Sequence, residues 1–215
     1  MDPATSVSTG LLTQYDARDD RVQDLEDALR QDVLRQRRRP HTAAWFSFRF
    51  HRNEFGTIAV FPDDASRREH IAAERTRDPG DRPDDLADRP PVDTRLDVFA
   101  HKLPADEPER PATKGLLITF GVRHDRDEEA QRFLMDAEAY AADEPGTLAW
   151  FALGVENGEY GIFDVFPDSA SRRRHLLGHV PRELAKEAFT LLGSLPEMHF
   201  VDVVSTTLDP AFSRA

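Results

Sequence analysis

Trp150-Phe151 opens a run that closes in Phe166-Pro167-Asp168-Ser169-Ala170-Ser171-Arg172-Arg173-Arg174-His175, and the chain has already written this text once. Trp45-Phe46 leads to Phe61-Pro62-Asp63-Asp64-Ala65-Ser66-Arg67-Arg68-Glu69-His70, 105 residues earlier and without a gap. Between Trp45 and Glu74, 13 of 30 positions are identical to their partners. The same offset pairs Gly10-Leu11-Leu12 with Gly115-Leu116-Leu117, and Leu96-Asp97-Val98 with Val201-Asp202-Val203. A match that spans a whole domain reads as a tandem duplication, and two copies are too few for a solenoid.

Working outward, each copy gives the order β, α, β, β, α, β. In the first, Gly10 to Tyr15 reads as a strand and Asp19-Asp20 as the acidic opening of a helix. Val22, Leu25, Ala28, Leu29 and Val33 carry its apolar stripe, and Pro40 stops it. Thr42 to His51 and Glu54 to Phe61 alternate as strands. Asp63 suits the N-cap of a second helix, and Thr94 to Lys102 closes the copy. Residues 75–93 hold Pro79, Pro83, Pro90 and Pro91 and no apolar stripe. In the second copy, strands at Gly115 to Val122, Thr147 to Val155, Glu159 to Phe166 and His199 to Thr207 are expected. Asn157-Gly158 marks the hairpin turn. Helices are expected on the stripe from Ala130 to Ala141, after Asp168, and over Arg182 to Leu192, a lid-like segment that the first copy lacks.

This order is the ferredoxin-like split βαβ. Helices cover one sheet face, yet both faces carry bulky apolar groups, so the sheet of the other copy is the expected cover. The fold class is therefore α+β: two tandem ferredoxin-like βαββαβ domains packed sheet to sheet as an intrachain dimeric α+β barrel. The domains run 10–103 and 115–208, joined by a Pro-rich linker at 104–114, with tails at 1–9 and 209–215.

Composition bounds the function. Net charge is −12, with 28 Lys+Arg against 40 Asp+Glu. Neither half is basic, which leaves no cationic groove for a nucleic acid. Cysteine is absent, excluding disulfide and thiolate chemistry. No apolar run reaches membrane-spanning length, and no signal pattern opens the chain, so a cytoplasmic protein is expected. No Walker loop, dinucleotide fingerprint or nucleophile elbow is present.

The pattern Trp-Phe…Gly…Phe-Pro-Asp-x-Ala-x-Arg-x-x-His resembles the antibiotic biosynthesis monooxygenase domain family, over nearly the whole of each copy. The resemblance implies dimeric α+β-barrel proteins of ferredoxin-like fold, with a pocket between helices and sheet. Members include cofactor-independent oxygenases that oxidise aromatic polyketides or quinols with molecular oxygen. Relatives on the fold degrade haem, cyclise polyketides or only bind small molecules. Family oxygenases often place a Trp at the end of the third strand, an Asn upstream and a His in the following helix. Here Phe61 and Phe166 end the strands, Thr57 and Ile162 stand upstream, and His70 and His175 keep the histidine.

Two side chains in the second copy are candidates for proton chemistry. His175 titrates near neutrality and suits deprotonation of a phenol; a structural histidine at the core edge is the alternative. Asp164 interrupts an otherwise apolar strand where the first copy has Ala59, and a buried carboxylate needs a partner or a shifted pKa. Trp150, Tyr160 and Phe166 would line the substrate cavity, although Trp45 and Trp150 equally suit core filling. His175 and His179 at i, i+4 offer a metal two ligands without a third, as do His70 and Glu74, so no metal and no cofactor are expected. The expected partner is a small aromatic substrate, with no nucleic acid and no membrane. The fused pair is an intrachain pseudo-dimer, and further homodimerisation stays open. The expected function is a monooxygenase, the alternative a small-molecule-binding or cyclase-like module, and the second copy is the expected seat of activity.

Overall fold

A computed structural model describes residues 6–78, 80–178, 182, 186, 191–193 and 195–209. Among the described residues eight strands and four α-helices follow one another. They are β1 (Thr9–Asp16), α1 (Val22–Gln36), β2 (Ala44–Arg49), β3 (Glu54–Phe61), α2 (Asp64–Arg75), β4 (Val92–Lys102), β5 (Lys114–Phe120), α3 (Asp127–Ala142), β6 (Ala149–Val155), β7 (Tyr160–Phe166), α4 (Ser169–Leu176) and β8 (Glu197–Thr206). A 3-10 turn, Pro83–Leu86, interrupts the Pro-rich segment read as irregular. The helix expected over Arg182 to Leu192 lies largely outside the described residues, as do Pro79 and His179.

The chain divides into two compact units, one of residues 1–96 with 202–215, the other of residues 97–201. The division falls inside β4 and β8, not in the linker at 104–114. Unit 1 orders its strands β4, β1, β3, β2, β8; unit 2 orders them β8, β5, β7, β6, β4. The central pairs are antiparallel and in identical register: Leu11 faces Ala59 as Leu116 faces Asp164, and Trp45 faces Ala59 as Trp150 faces Asp164. In unit 1, β2 also pairs with the end of β8, Ser47 opposite Ser205 and Arg49 opposite Asp202.

Local chemistry explains the repeated elements. Proline cannot donate to the ladder, so Pro62 and Pro167 end β3 and β7. Asp63 and Asp168 then accept from the backbone N–H groups of Ser66 and Ser171 at 2.8 and 2.7 Å, capping α2 and α4. Helix α1 starts at Val22, after Arg21 and without a side-chain cap, rather than at Asp19. Gly158 adopts φ 86° in the β6–β7 turn, which Asn157 and glycine favour.

Each unit packs its helices on one sheet face. In unit 1 that core holds Leu11, Val33, Trp45, Ala59 and Phe61, and, toward the other strand ends, Tyr15, Leu25, Leu29 and Phe55. In unit 2 it is one continuous cluster that includes Leu116, Ile118, Phe120, Leu134, Trp150 and Phe166. Among the described residues no helix is long and apolar enough to cross a membrane.

Candidate functional site

The two histidines of the repeat sit alike. Each projects from the second helix of its unit against the phenylalanine that ends the preceding strand. The ring centroids are 5.0 Å apart for His70 and Phe61, and 5.3 Å for His175 and Phe166. Their polar surroundings differ, because the repeats diverge at the facing positions.

In unit 2 the structure brings Asp164 and His175 together. His175 Nε2 lies 3.6 Å from Asp164 Oδ2. On its other side, Nδ1 lies 2.5 Å from Glu144 Oε2 and 3.4 Å from the Thr147 hydroxyl, which itself donates to Glu144. Asp164 is completely buried, and neither of its oxygens receives a hydrogen bond. Burial pushes its carboxyl up to about 7; the nearby His175 opposes the rise and Glu144 adds to it. Trp150 and Phe166 are fully buried in the core cluster, and the Trp150 indole N–H has no acceptor. Tyr160 stands apart, roughly 13 Å from Asp164 along β7 at strand rise. Its hydroxyl donates to Asp127 Oδ1 at 3.1 Å, and its ring packs on Phe99 and Phe120. Two of the five sequence candidates thus form a buried acid–imidazole pair, two more, Trp150 and Phe166, flank it, and the fifth is a separate contact. Glu144 and Thr147 complete the pair, and no local sequence pattern marks them.

In unit 1 the corresponding region is hollow. A cavity of about 250 Å³ lies between the helices and the sheet. Its sheet wall is Leu11, Thr13 and Tyr15 of β1, Trp45 of β2 and Thr57 of β3. Asp32 and Gln36 face it from α1, and His70, Ile71 and Glu74 from α2. Arg77, Arg82 and Pro83, with Pro90 and Pro91, form its rim. The Pro-rich segment therefore borders a cavity, where the expectation gave the working cavity to the second copy.

This wall is polar and tightly wired. Arg77 donates to Glu74 at 2.7 Å and reaches Asp32 Oδ1 at 3.2 Å. The Gln36 amide donates to Asp32 Oδ2 at 3.0 Å. Gln36 is 2% exposed and Asp32 7%, yet Gln36 Oε1 and Asp32 Oδ1 accept no hydrogen bond. His70 Nδ1 is buried and unpartnered as well. Burial brings the His70 ring down to about 4, with Arg39 and Arg77 assisting and Glu74 opposing. The imidazole is therefore neutral at pH 7. Burial raises the Asp32 carboxyl despite Arg77, while Arg77 and Arg39 hold Glu74 below the usual range against its own burial. The Tyr15 phenol is pushed well up by burial and the surrounding carboxylates. Sequence reading passed over Tyr15, Asp32, Gln36 and Arg77. For Tyr15, Asp32 and Gln36 the signal lay in the repeat itself, at positions where the second copy has Phe120, Ala137 and Ala141; Arg77 has Arg182 as its counterpart and no such signal.

Among the described residues no cluster of three or more His, Asp or Glu side chains could hold a metal ion.

No family model and no curated protein matches the sequence. Solved structures do. A candidate monooxygenase of Fusobacterium nucleatum subsp. nucleatum superposes with a TM-score of 0.74 at 13% identity, covering 94% of both chains. A second, of Lactobacillus acidophilus NCFM, gives 0.74 at 13% identity over 94% of this chain and 96% of that one. A Listeria monocytogenes ferredoxin-fold protein related to antibiotic biosynthesis monooxygenases gives 0.54 at 8% identity over 94% and 98%. Nearly end to end, the chain therefore has the α+β, ferredoxin-like fold of proteins related to antibiotic biosynthesis monooxygenases.

Proposed function

We propose that the protein is a monooxygenase that oxidises an aromatic quinol-like substrate with molecular oxygen and without a cofactor. One observation carries the reading. A helix-to-sheet cavity holds an aromatic wall, Trp45 and Tyr15, beside a neutral imidazole, His70, whose Nδ1 has no hydrogen-bond partner. A phenolic hydroxyl placed there donates to His70 Nδ1, and because the ring is a weak base the proton moves to it only as electron density leaves the phenol for oxygen. One oxygen atom enters the aromatic ring and the other leaves as water, with all four electrons drawn from the substrate. The likeness to candidate monooxygenases supports the reading, as does the family resemblance of each repeat.

A second reading keeps the chemistry in unit 2, with Asp164 and His175 as the proton-handling groups and Trp150, Tyr160 and Phe166 as the lining. Its support is the Asp164 carboxyl, which titrates near 7 beside an imidazole. Burial of both groups counts against it, since a substrate must find room.

Oxygen consumption with a panel of anthrones and hydroquinones tests the function. We expect uptake by the wild type and a loss of about tenfold or more in His70→Gln. If Asp164→Asn and His175→Gln abolish uptake while His70→Gln does not, the second reading holds. Ligand binding without uptake across the panel makes the protein a binding module.

A further inference from the structure

The repeats place opposite chemistry at matching positions. In unit 1, Thr13, Tyr15, Asp32, Gln36 and Thr57 face the cavity. The residues 105 positions on are Ile118, Phe120, Ala137, Ala141 and Ile162, and all five belong to the apolar core cluster of unit 2. The registers β1–β3 and β5–β7 are identical, so these are true structural counterparts. Trp45 and Trp150 are shared, as are His70 and His175. One copy thus carries polar groups at these five places beside its tryptophan and histidine, and the other carries hydrocarbon at the same five.

From this we infer that the chain binds one ligand, in unit 1 alone, and that Gln36 and Asp32 read hydrogen-bond donors on it. The inference rests on the proposed binding of a small aromatic molecule in that cavity. Gln36 Oε1 is a buried acceptor without a hydrogen bond, and an empty buried acceptor is costly until something donates to it; Asp32 Oδ1 has the Arg77 ion pair at 3.2 Å and no hydrogen bond of its own. Both sit one helical turn apart on the inner face of α1 and line the cavity. Arg77 is committed to Glu74 and Asp32, and Arg82 to Asp84. Four acidic side chains against three arginines line the space, which gives an anionic ligand no advantage. The ligand is therefore neutral and donor-bearing. Its size follows from the cavity, about 250 Å³, below the roughly 300–1,000 Å³ that takes drug-sized molecules. One or two rings fit, and a four-ring polyketide does not.

Anaerobic calorimetric titration of the full chain with dihydroxynaphthalene, and with dimethoxynaphthalene as the donor-free analogue, tests this without turnover. We expect one dihydroxynaphthalene per chain and binding of the dimethoxy compound weaker by about tenfold or more. Gln36→Met and Asp32→Asn should each narrow that preference. Thr13→Ile with Thr57→Ile installs the residues that unit 2 already accommodates at these places. The pair should abolish binding while the melting temperature and circular dichroism hold. Two ligands per chain overturns the inference. So does equal affinity for the two compounds, no binding of either, or binding that survives the Thr13 and Thr57 pair. Oxygen uptake that persists with the cavity so closed would overturn this inference and move the chemistry out of unit 1, whereas binding lost together with uptake would support both readings.

Discussion

Position 59 and its counterpart 164 show how one side chain redirects a site. Ala59 leaves His70 without an acid on the strand, and the ring stays neutral with Nδ1 unpartnered. Asp164 sets a carboxyl 3.6 Å from His175 Nε2, and Glu144 takes Nδ1. The cost appears in the Asp164 pKa, raised from 3.8 to about 7. A group whose pKa is higher folded than unfolded contributes its stability below the unfolded value. That contribution is lost as pH rises through the folded value. Asp164 thus favours the folded state below about pH 4 relative to neutral pH, and the loss runs from there to about pH 7. Asp164→Asn removes the ionisation. We expect its urea midpoint to exceed that of the wild type at pH 8 and the difference to shrink or reverse at pH 5. A variant no more stable than wild type at pH 8 would show that the buried carboxylate carries no ionisation penalty.

At the scale of elements, α1 reads as an ordinary amphipathic helix in sequence, with Leu25, Leu29 and Val33 inward. Asp32 and Gln36 share that inner face, and their burial is what makes the cavity polar. The strand pair β2–β3 carries its own constraint. Gly56 stands opposite Phe48, and a Cβ at Gly56 would lie 2.7 Å from Phe48 Cε2 and 2.9 Å from Cζ. Phe48 is fully buried, so its ring has nowhere to retreat. Gly56→Ala should destabilise by about 1–3 kcal/mol in chemical denaturation, as overpacking does. Gly56 points away from the helix face that Thr57 joins, so dihydroxynaphthalene affinity should be retained in the folded variant. Full wild-type stability would mean that β2 and β3 separate more readily than their ladder suggests.

For the whole molecule, the telling feature is that unit 1 draws on both ends of the chain. The edge of β2 is covered by residues 202–206 of β8, through the Ser47 and Ser205 hydroxyls at 2.9 Å and the Trp45 backbone N–H to Thr207. A fragment of residues 1–103 lacks that strand and leaves Phe46 to Arg49 unpaired on one side, a template for self-association. We expect it to be insoluble or to elute as a homo-oligomer in size-exclusion chromatography, and to form a soluble heterodimer when co-expressed with residues 104–215. A stable monomer of the fragment in dilute solution would overturn this.

The element order and the capped second helices were legible in the sequence, because each rests on local chemistry. Apolar alternation, Pro62 and Pro167, and the Asp63 and Asp168 caps act within a few residues of themselves. The candidate site was legible only where a lone residue broke a pattern, as Asp164 does in β7. Tyr15, Asp32 and Gln36 break nothing conspicuous in β1 or α1. Only folding turns them toward one space and strips them of water. Tyr160 shows the reverse: it shares a strand face with Asp164, yet its position at the other end of β7 gives it to Asp127. Glu144, far from His175 in the chain, becomes its nearest acid because α3 ends beside α4. Side-chain type and spacing follow from sequence. Which polar groups share a cavity, and which of two repeats keeps it open, is set by packing between segments distant in the chain.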